Sequence, residues 1–396
     1  MKNMKKFVGL ALTATLAAAS LAGCGSKNND TSTGSSASSA ADGTVYKIGG
    51  IGPVTGAAAA YGDAVEKGAK LAVEEINAAG GINGTPIEFK FEDDEHDAEK
   101  SVNAYNTLKD WGMQMLLGTV TSAPCIAVNA EASNDNMFLL SPSGTALECI
   151  STPNAFRVCF SDPAQGTKSA EYIGQNKLAT KVAAIYDSSD PYSSGIYESF
   201  AAEAANQGLE IVASEAFTAD SKADFKVQLQ KAKDGGAELV FLPIYYQETA
   251  LILKQAADIG FDTQFFGCDG LDGILGVENF DTTLAEGVML LTPFAADAED
   301  EATQHFVKAY AEAYNNETPI QFAADAYDGI YAIKDAAEKA GITADMNASD
   351  ICDALKVSMT EITLNGVTGT ISWTEDGEPS KEPKAVVIQN GAYTAM

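Results

Sequence analysis

Hydrophobic and polar residues alternate with two different periods along most of this chain. Short runs rich in β-branched and aromatic residues, such as residues 46–51 and 181–186, are followed by stretches in which apolar residues recur every three or four positions, as in residues 61–79. The longer period is that of an amphipathic helix, whereas the short runs are typical of buried strands. This βαβ alternation predicts an α/β fold with parallel sheets covered by helices on both faces.

The alternation runs once from residue 45 and starts again after residue 162, which predicts two successive doubly wound units. The predicted strands are 46–51, 87–91, 113–117, 137–140, 181–186, 210–215, 239–243, 264–266, 286–291, 369–373 and 385–388. The predicted helices are 61–79, 98–111, 122–134, 164–176, 193–207, 225–234, 248–259, 297–314 and 322–340. Since one compact core rarely grows beyond about 250–300 residues, two lobes are the expectation for residues 44–396.

The first residues indicate export. Lys2, Lys5 and Lys6 precede an apolar run at 7–19, which is too short to span a membrane and is typical of a secretory signal. The run ends in Leu-Ala-Gly-Cys24, which resembles the lipobox of bacterial lipoproteins, whose cysteine carries a lipid. We therefore predict a signal peptide at 1–23, a lipid on Cys24 and a flexible tether at 24–43; the alternative is an ordinary signal peptide with an incidental cysteine.

Composition excludes several classes of function. The formal net charge is −30, which disfavours binding to nucleic acid. The chain holds two histidines: His96, in an acidic run expected to form a solvated turn, and His305, on a charged amphipathic helix. Neither is placed beside a nucleophile, and metal-binding and phosphate-binding motifs are missing from the sequence, so we expect no enzyme activity, no metal and no cofactor.

Cysteine usage leaves two alternatives open. Five cysteines remain after Cys24, and none forms a Cys-x-x-Cys pair. Cys125 and Cys149 both open short helical stretches near the predicted pocket, which makes them the best candidates for a disulfide. All five can equally be buried thiols.

Candidate binding residues follow the ends of the predicted strands, where ligands of open parallel sheets bind. In the first unit, Ser122 and Thr145 each come after a strand and before a predicted helix, so two helix N-termini could hold an anion without an arginine. Plain N-capping is the alternative for both hydroxyls. In the second unit, Tyr192, Tyr245 and Asp269 occupy strand ends, and Asp269 could accept an ammonium group. Together these residues favour a zwitterionic ligand.

Several motifs resemble those of the branched-chain amino acid-binding proteins of ABC transporters. They are Ala-Ala-Tyr-Gly-Asp at 59–63, Glu-Glu-Ile-Asn-Ala-Ala-Gly-Gly-Ile-Asn-Gly at 74–84, Phe-Glu-Asp-Asp at 91–94, Ser-Pro-Ser-Gly-Thr-Ala at 141–146 and Gln-Leu-Gln-Lys-Ala-Lys at 228–233. The resemblance implies a type I periplasmic binding protein with two lobes joined by a three-strand hinge. Lobe 1 would comprise 44–162 plus 293–371, and lobe 2 would comprise 163–292 plus 372–396.

The same resemblance implies how an amino acid would be held. The hydroxyl of Ser122 and the hydroxyl and N–H of Thr145 would bind its α-carboxylate. The carbonyl of Ser143 and the carboxylate of Asp269 would accept its ammonium group.

The remaining positions would close the pocket. Tyr192 and Tyr245 would close it from lobe 2, and Tyr61, Val120 and Phe322 would line the side-chain end.

Two positions depart from the family. Asp269 replaces a longer glutamate-type acceptor, and His96 and Thr121 replace a cysteine pair found in Gram-negative members.

The resemblance also implies the partners. They are a free amino acid, with leucine, isoleucine or valine as the expected ligands, together with the ABC permease and ATPase subunits. The protein would be a monomer held by its lipid on the outer face of a Gram-positive membrane. The alternative is a sensing module, uncoupled from transport, for another amino acid or a small amide or carboxylate.

Overall fold

The computed structural model describes residues 44–396, so the predicted signal peptide, Cys24 and the tether lie outside the described residues. The strands are β1 Tyr46–Gly52, β2 Ile87–Asp93, β3 Met115–Gly118, β4 Phe138–Ser141, β5 Ala155–Arg157, β6 Lys181–Asp187, β7 Glu210–Phe217, β8 Leu239–Leu242, β9 Gln264–Gly267, β10 Met289–Thr292, β11 Thr363–Gly366, β12 Gly369–Ser372, β13 Lys384–Gln389 and β14 Ala392–Ala395. The α-helices are α1 Ala59–Ala78, α2 Ala98–Trp111, α3 Ser122–Asp135, α4 Asp162–Gln175, α5 Pro191–Ala204, α6 Lys226–Asp234, α7 Tyr246–Asp258, α8 Glu301–Ala313, α9 Gln321–Ala340 and α10 Ala348–Met359.

Two sheets repeat one strand order. The first is β2-β1-β3-β4-β5, and its neighbouring strands are parallel. The second contains β7-β6-β8-β9-β10 in the same parallel arrangement and continues with β13 and β14, which are antiparallel. The prediction of two doubly wound α/β lobes is confirmed. We use lobe 1 and lobe 2 for the parts built around the first and second sheet.

The chain passes between the lobes after β5, after β10 and after β12, as a three-segment hinge requires. The last two crossings bring α8, α9 and the β11-β12 hairpin to lobe 1 and return β13 and β14 to lobe 2. The residue bounds of the lobes stay a prediction. Among the described residues, no helix is long and apolar enough to cross a membrane.

Helix α1 shows how the sequence pattern builds the lobe 1 core. Its apolar stripe, which includes Val65, Ala69 and Ile76, is buried as predicted. A Cβ on Gly68 would come within 2.1 Å of the carbonyl oxygen of Ala323, so α1 lies directly against α9 at this glycine. This close approach matters for the site, because α1 and α9 carry Tyr61 and Phe322.

Some elements differ from the prediction. Helix α10 was not predicted; it is capped by the side chain of Asn347, which accepts from the N–H of Asp350, and it buries a stripe that includes Ile351, Leu355 and Met359. The predicted strand at 286–291 begins later, at Met289, because Thr282–Ala285 forms a 3₁₀ turn just before it and Gly287 has a positive φ of 81°.

Candidate ligand-binding site

A small cavity lies between the lobes, beyond the carboxyl ends of the parallel strands. It is lined by Tyr61, Val120, Thr121, Ser122, Ser143, Tyr192, Tyr245, Asp269, Gly270 and Phe322. Eight of the nine residues predicted from the sequence are in this lining. The ninth, Thr145, lies directly behind it, with its Oγ1 3.5 Å from Oγ of Ser122. The structure brings the predicted residues together; their contacts with a ligand stay a prediction.

Lobe 1 presents hydroxyls and backbone groups to the cavity. Thr121 is the extended residue before α3, and Ser122 is the first residue of the helix. The hydroxyl of Ser122 accepts from the N–H of Ala146 at 3.2 Å, whereas Ser143 Oγ donates to the carbonyl of Val120 at 2.7 Å. Ser122 is therefore not an N-cap, and it ties α3 to the following loop. The free N–H groups at the start of α3 make this wall attractive to an anion.

The expected second helix N-terminus is missing, and that prediction was wrong. Residues after Thr145 form only the 3₁₀ turn Leu147–Ile150. The loop is held by Arg157 instead, whose Nη1 donates to the carbonyls of Gly144, Thr145 and Ala146 at 3.2, 2.5 and 3.0 Å. Arg157 is fully buried and pairs with Glu378 from the last hinge segment. The chain's one arginine thus shapes the wall of the cavity without entering it.

Lobe 2 presents an acid and phenols. Asp269 follows β9 and accepts from the hydroxyl of Tyr192 at 2.8 Å. Burial raises the pKa of Asp269 to about 7, partly opposed by hydrogen bonds from Tyr192 and Gln165. The Tyr192 ring stacks on Tyr245 with centroids 4.9 Å apart. An ammonium group beside Asp269 would favour the ionised carboxylate.

Direct contacts join the two lobes around the cavity. The hydroxyl of Tyr61 in lobe 1 donates to the carbonyl of Gly270 in lobe 2 at 2.5 Å, and it accepts from the N–H of Tyr246 at 3.3 Å. The Tyr61 ring also stacks on Phe322, with ring centroids 4.2 Å apart, and packs edge-to-face with Tyr245, with ring centroids 5.7 Å apart. This arrangement is a closed one, in which the aromatic rings from both lobes shut the cavity.

Sequence reasoning missed three contributors. Thr121 and Gly270 line the cavity, and Arg157 organises its wall. Thr121 could have been found from its position before a helix. Gly270 could not, because it acts through its backbone carbonyl. Arg157 ends strand β5, 11 to 13 residues after the carbonyls it binds, and no helical or strand period connects it with them.

The predicted environment of His96 was right for the turn but not for the ring. Glu95 and Asp97 of this turn are exposed. The His96 ring is half-buried: its Nδ1 lies 2.8 Å from Oγ1 of Thr121, and its centroid lies 5.5 Å from that of Tyr245 of lobe 2 in an edge-to-face arrangement. The two positions that replace a cysteine pair of the family are therefore in contact. His305, by contrast, lies on α8 as predicted, beside Glu75.

Cys125 and Cys149 are close but not bridged, so of the two alternatives the structure favours buried thiols. A Cβ on Gly144 would lie 3.0 Å from Sγ of Cys125 and 3.1 Å from Sγ of Cys149. All five cysteines of the described residues are free and buried. Within residues 44–396, no group of three or more acidic, histidine or cysteine side chains could hold a metal ion.

The comparisons with known proteins agree with this architecture. Residues 45–392 match the family model described as periplasmic binding protein. The chain belongs to the periplasmic binding protein family. The curated Leu/Ile/Val-binding protein homolog 3 of Brucella melitensis is 32% identical over 341 residues, covering 84% of this chain and 88% of that protein.

Two solved structures extend the likeness. The branched-chain amino acid transporter substrate-binding protein LivJ from Streptococcus pneumoniae, in complex with isoleucine, has a TM-score of 0.81 and 32% identity, covering 89% of this chain and 98% of that one. The leucine-binding protein LivK from Thermotoga maritima has a TM-score of 0.80 and 26% identity, and the match covers 89% of this chain and 98% of that one. The family is that of extracytoplasmic substrate-binding proteins of transporters, which agrees with the resemblance of the motifs.

Proposed function

We propose that this protein is the extracytoplasmic substrate-binding lipoprotein of an ABC importer and that it captures an amino acid by closure of its lobes. The single observation that carries this proposal is the cavity itself, which has uncharged hydroxyls and a helix N-terminus on one wall and a carboxylate on the other. That polarity fits the α-carboxylate and the ammonium group of a zwitterion. The names of the relatives support the same class of ligand.

The residues take separate roles in this proposal. Ser122 and Thr145 bind the α-carboxylate together with the N–H groups at the start of α3. The carbonyl of Ser143 and the carboxylate of Asp269 accept the ammonium group. Electrostatic attraction is strong here because the walls exclude water.

The side-chain end of the cavity is apolar. Tyr61, Val120 and Phe322 line it, and no basic residue is in the cavity lining. This surface suits a branched aliphatic side chain, so leucine, isoleucine and valine are the proposed ligands. Selection among the three rests on shape, which discriminates a methylene by only about 1–3 kcal/mol.

Transport follows from a shift in conformational population. An open form binds the ligand on lobe 1, and Asp269, Tyr192 and Tyr245 of lobe 2 add their contacts only on closure. The closed form docks on a permease whose ATPase subunits are separate chains. The lipid on Cys24 and the tether at 24–43 keep the protein at the membrane, at the surface of a Gram-positive cell, where a monomer suffices for delivery.

Melting temperatures in the presence of each of the twenty amino acids test the ligand class. A ligand at one hundred times its Kd adds about 2.7 kcal/mol of stability, so the branched-chain amino acids should raise the melting temperature clearly. A chain that responds to none of the twenty would contradict the proposal.

The double variant Ser122→Ala, Thr145→Ala tests the residue roles. It should lower the affinity at least about 100-fold, since two hydrogen bonds to a charged group are lost. The variant should melt as a folded protein does, and calorimetry that shows unchanged binding would overturn the assignment of this wall.

A further inference from the structure

His96 occupies an unusual place in the molecule. It lies in the turn between β2 and α2 of lobe 1, with a positive φ of 60°, and its N–H donates to Asp94 Oδ1 at 2.9 Å. This backbone geometry points the imidazole away from the acidic run and into the interface between the lobes. Histidine is among the residues that adopt the left-handed region more readily than most.

The ring contacts two residues that line the cavity, one from each lobe. Its Nδ1 is 2.8 Å from the hydroxyl of Thr121, the residue that precedes α3. The centroids of the His96 and Tyr245 rings lie 5.5 Å apart with an interplanar angle of 89°. Tyr245 in turn stacks on Tyr192, the phenol that donates to Asp269. His96 therefore connects the lobe 1 wall, which would bind the α-carboxylate of the ligand, to the lobe 2 wall, which would bind its ammonium group.

Charged groups face this ring from both lobes. Lys222 of lobe 2, which pairs with Glu248 at 3.3 Å, repels a protonated imidazole, whereas Asp187 of β6 and Asp97 of the same turn attract it. Burial is the largest effect and, together with Lys222, it lowers the pKa of His96 in the closed form. Asp94, whose pKa burial raises to about 7, also adjoins the turn.

We infer that His96 is a positioning residue of the cleft: as a neutral imidazole it holds Thr121 and Tyr245 in the closed geometry, and when protonated it opposes closure. The inference rests on the proposed function, since closure is the step that captures the ligand. In the open form Tyr245 and Lys222 move away with lobe 2, and the ring regains water. Closure then expels a proton from His96, so affinity falls as the pH falls through the ordinary histidine range near 6.5.

The two histidines of the chain make a direct test by NMR. The imidazole signals of the mature protein are titrated with and without 1 mM L-leucine, and His305→Gln assigns them. The titration midpoint of His96 should fall when leucine is added, while the signal of His305, which contacts Glu75 and lies outside the cavity lining, should not respond to leucine. A midpoint that stays or rises overturns the inference.

The variant His96→Asn gives a second test by calorimetry. Asparagine tolerates positive φ and keeps a hydrogen-bonding group near Thr121, but it does not titrate. Between pH 7.5 and 5.5 the wild-type protein should lose up to about tenfold more affinity for leucine than the variant does, because one group with an ordinary pKa near 6.5 is removed. Effects of Asp269 are common to both proteins and cancel in this ratio.

The outcomes separate this inference from the proposed function. Binding of leucine with identical pH profiles for both proteins overturns the role of His96 alone. A chain that binds none of the twenty amino acids contradicts the proposed function itself.

Discussion

The two walls of the cleft differ in how they present polarity. Lobe 1 uses neutral groups, the hydroxyls of Ser122 and Thr145 and the N-terminus of α3, in a loop fixed by Arg157. Lobe 2 uses a buried acid, Asp269, whose pKa burial raises to about 7. The lobe 1 wall can therefore attract an anion at any pH, whereas Asp269 of lobe 2 is fully ionised only above neutral pH or when a cation is present. Under the proposed function, the charged contact with the ligand would therefore come from lobe 2.

Removal of the lobe 2 charge should have the largest effect. Asp269→Asn keeps an oxygen that can accept from Tyr192 but loses the partner of the ammonium group. We expect at least about a 30-fold loss of affinity, since truncating one member of a buried charge pair costs about 2–5 kcal/mol. Calorimetry with leucine measures it.

Asp262→Asn is the matched control. Asp262 is exposed on lobe 2, so the substitution changes the net charge equally without touching the cavity. Equal losses in both variants would show that the effect comes from the general field of the protein rather than from Asp269.

Substitution of Arg157, which supports the lobe 1 wall, should have the next-largest effect. Arg157→Lys loses most of the contacts of Nη1 with three carbonyls, and lysine lacks the fork that also reaches Glu378. We expect the free energy of unfolding to fall by about 1–3 kcal/mol, because buried carbonyls lose their hydrogen-bond donor, together with weaker ligand binding. Denaturant unfolding followed by circular dichroism measures the first effect. Wild-type stability in this variant would mean that the loop does not depend on Arg157.

The smallest expected effect is the change with pH in the free energy of unfolding of the protein without ligand. An unfolded Asp269 loses its proton near pH 4, whereas the folded one keeps it to about pH 7, so the folded state binds more protons between these values and stability falls as the pH rises. Asp269 alone should lower the free energy of unfolding by about 1.4 kcal/mol between pH 6 and pH 8.

The comparison with Asp269→Asn isolates this contribution. Asp94 and Asp190, whose pKa values burial also raises to about 7, add to the slope in both proteins. Thermal melts at the two pH values should show a smaller decrease in the variant. An equal decrease would mean that Asp269 is not protonated in the folded protein without ligand.

Local chemistry explains what the sequence predicted well. Helix α2 has its predicted bounds because Asp97 accepts from the N–H groups of Glu99 and Lys100 at its start and Gly112 takes a left-handed φ of 89° at its end. The strand-end residues of the cleft were found because parallel sheets present these ends on one side. Helix α10 was missed although its buried residues Ile351, Leu355 and Met359 recur at helical spacing.

The sequence by itself determined the two doubly wound lobes and the polar types at the strand ends, because periodicity and capping act between near neighbours. Tertiary structure decided the rest of the cleft. Arg157 reaches Glu378, Tyr61 reaches Gly270, and His96 reaches Thr121 and Tyr245. None of these contacts follows from a local pattern, and those of Tyr61 with Gly270 and of His96 with Tyr245 join the two lobes.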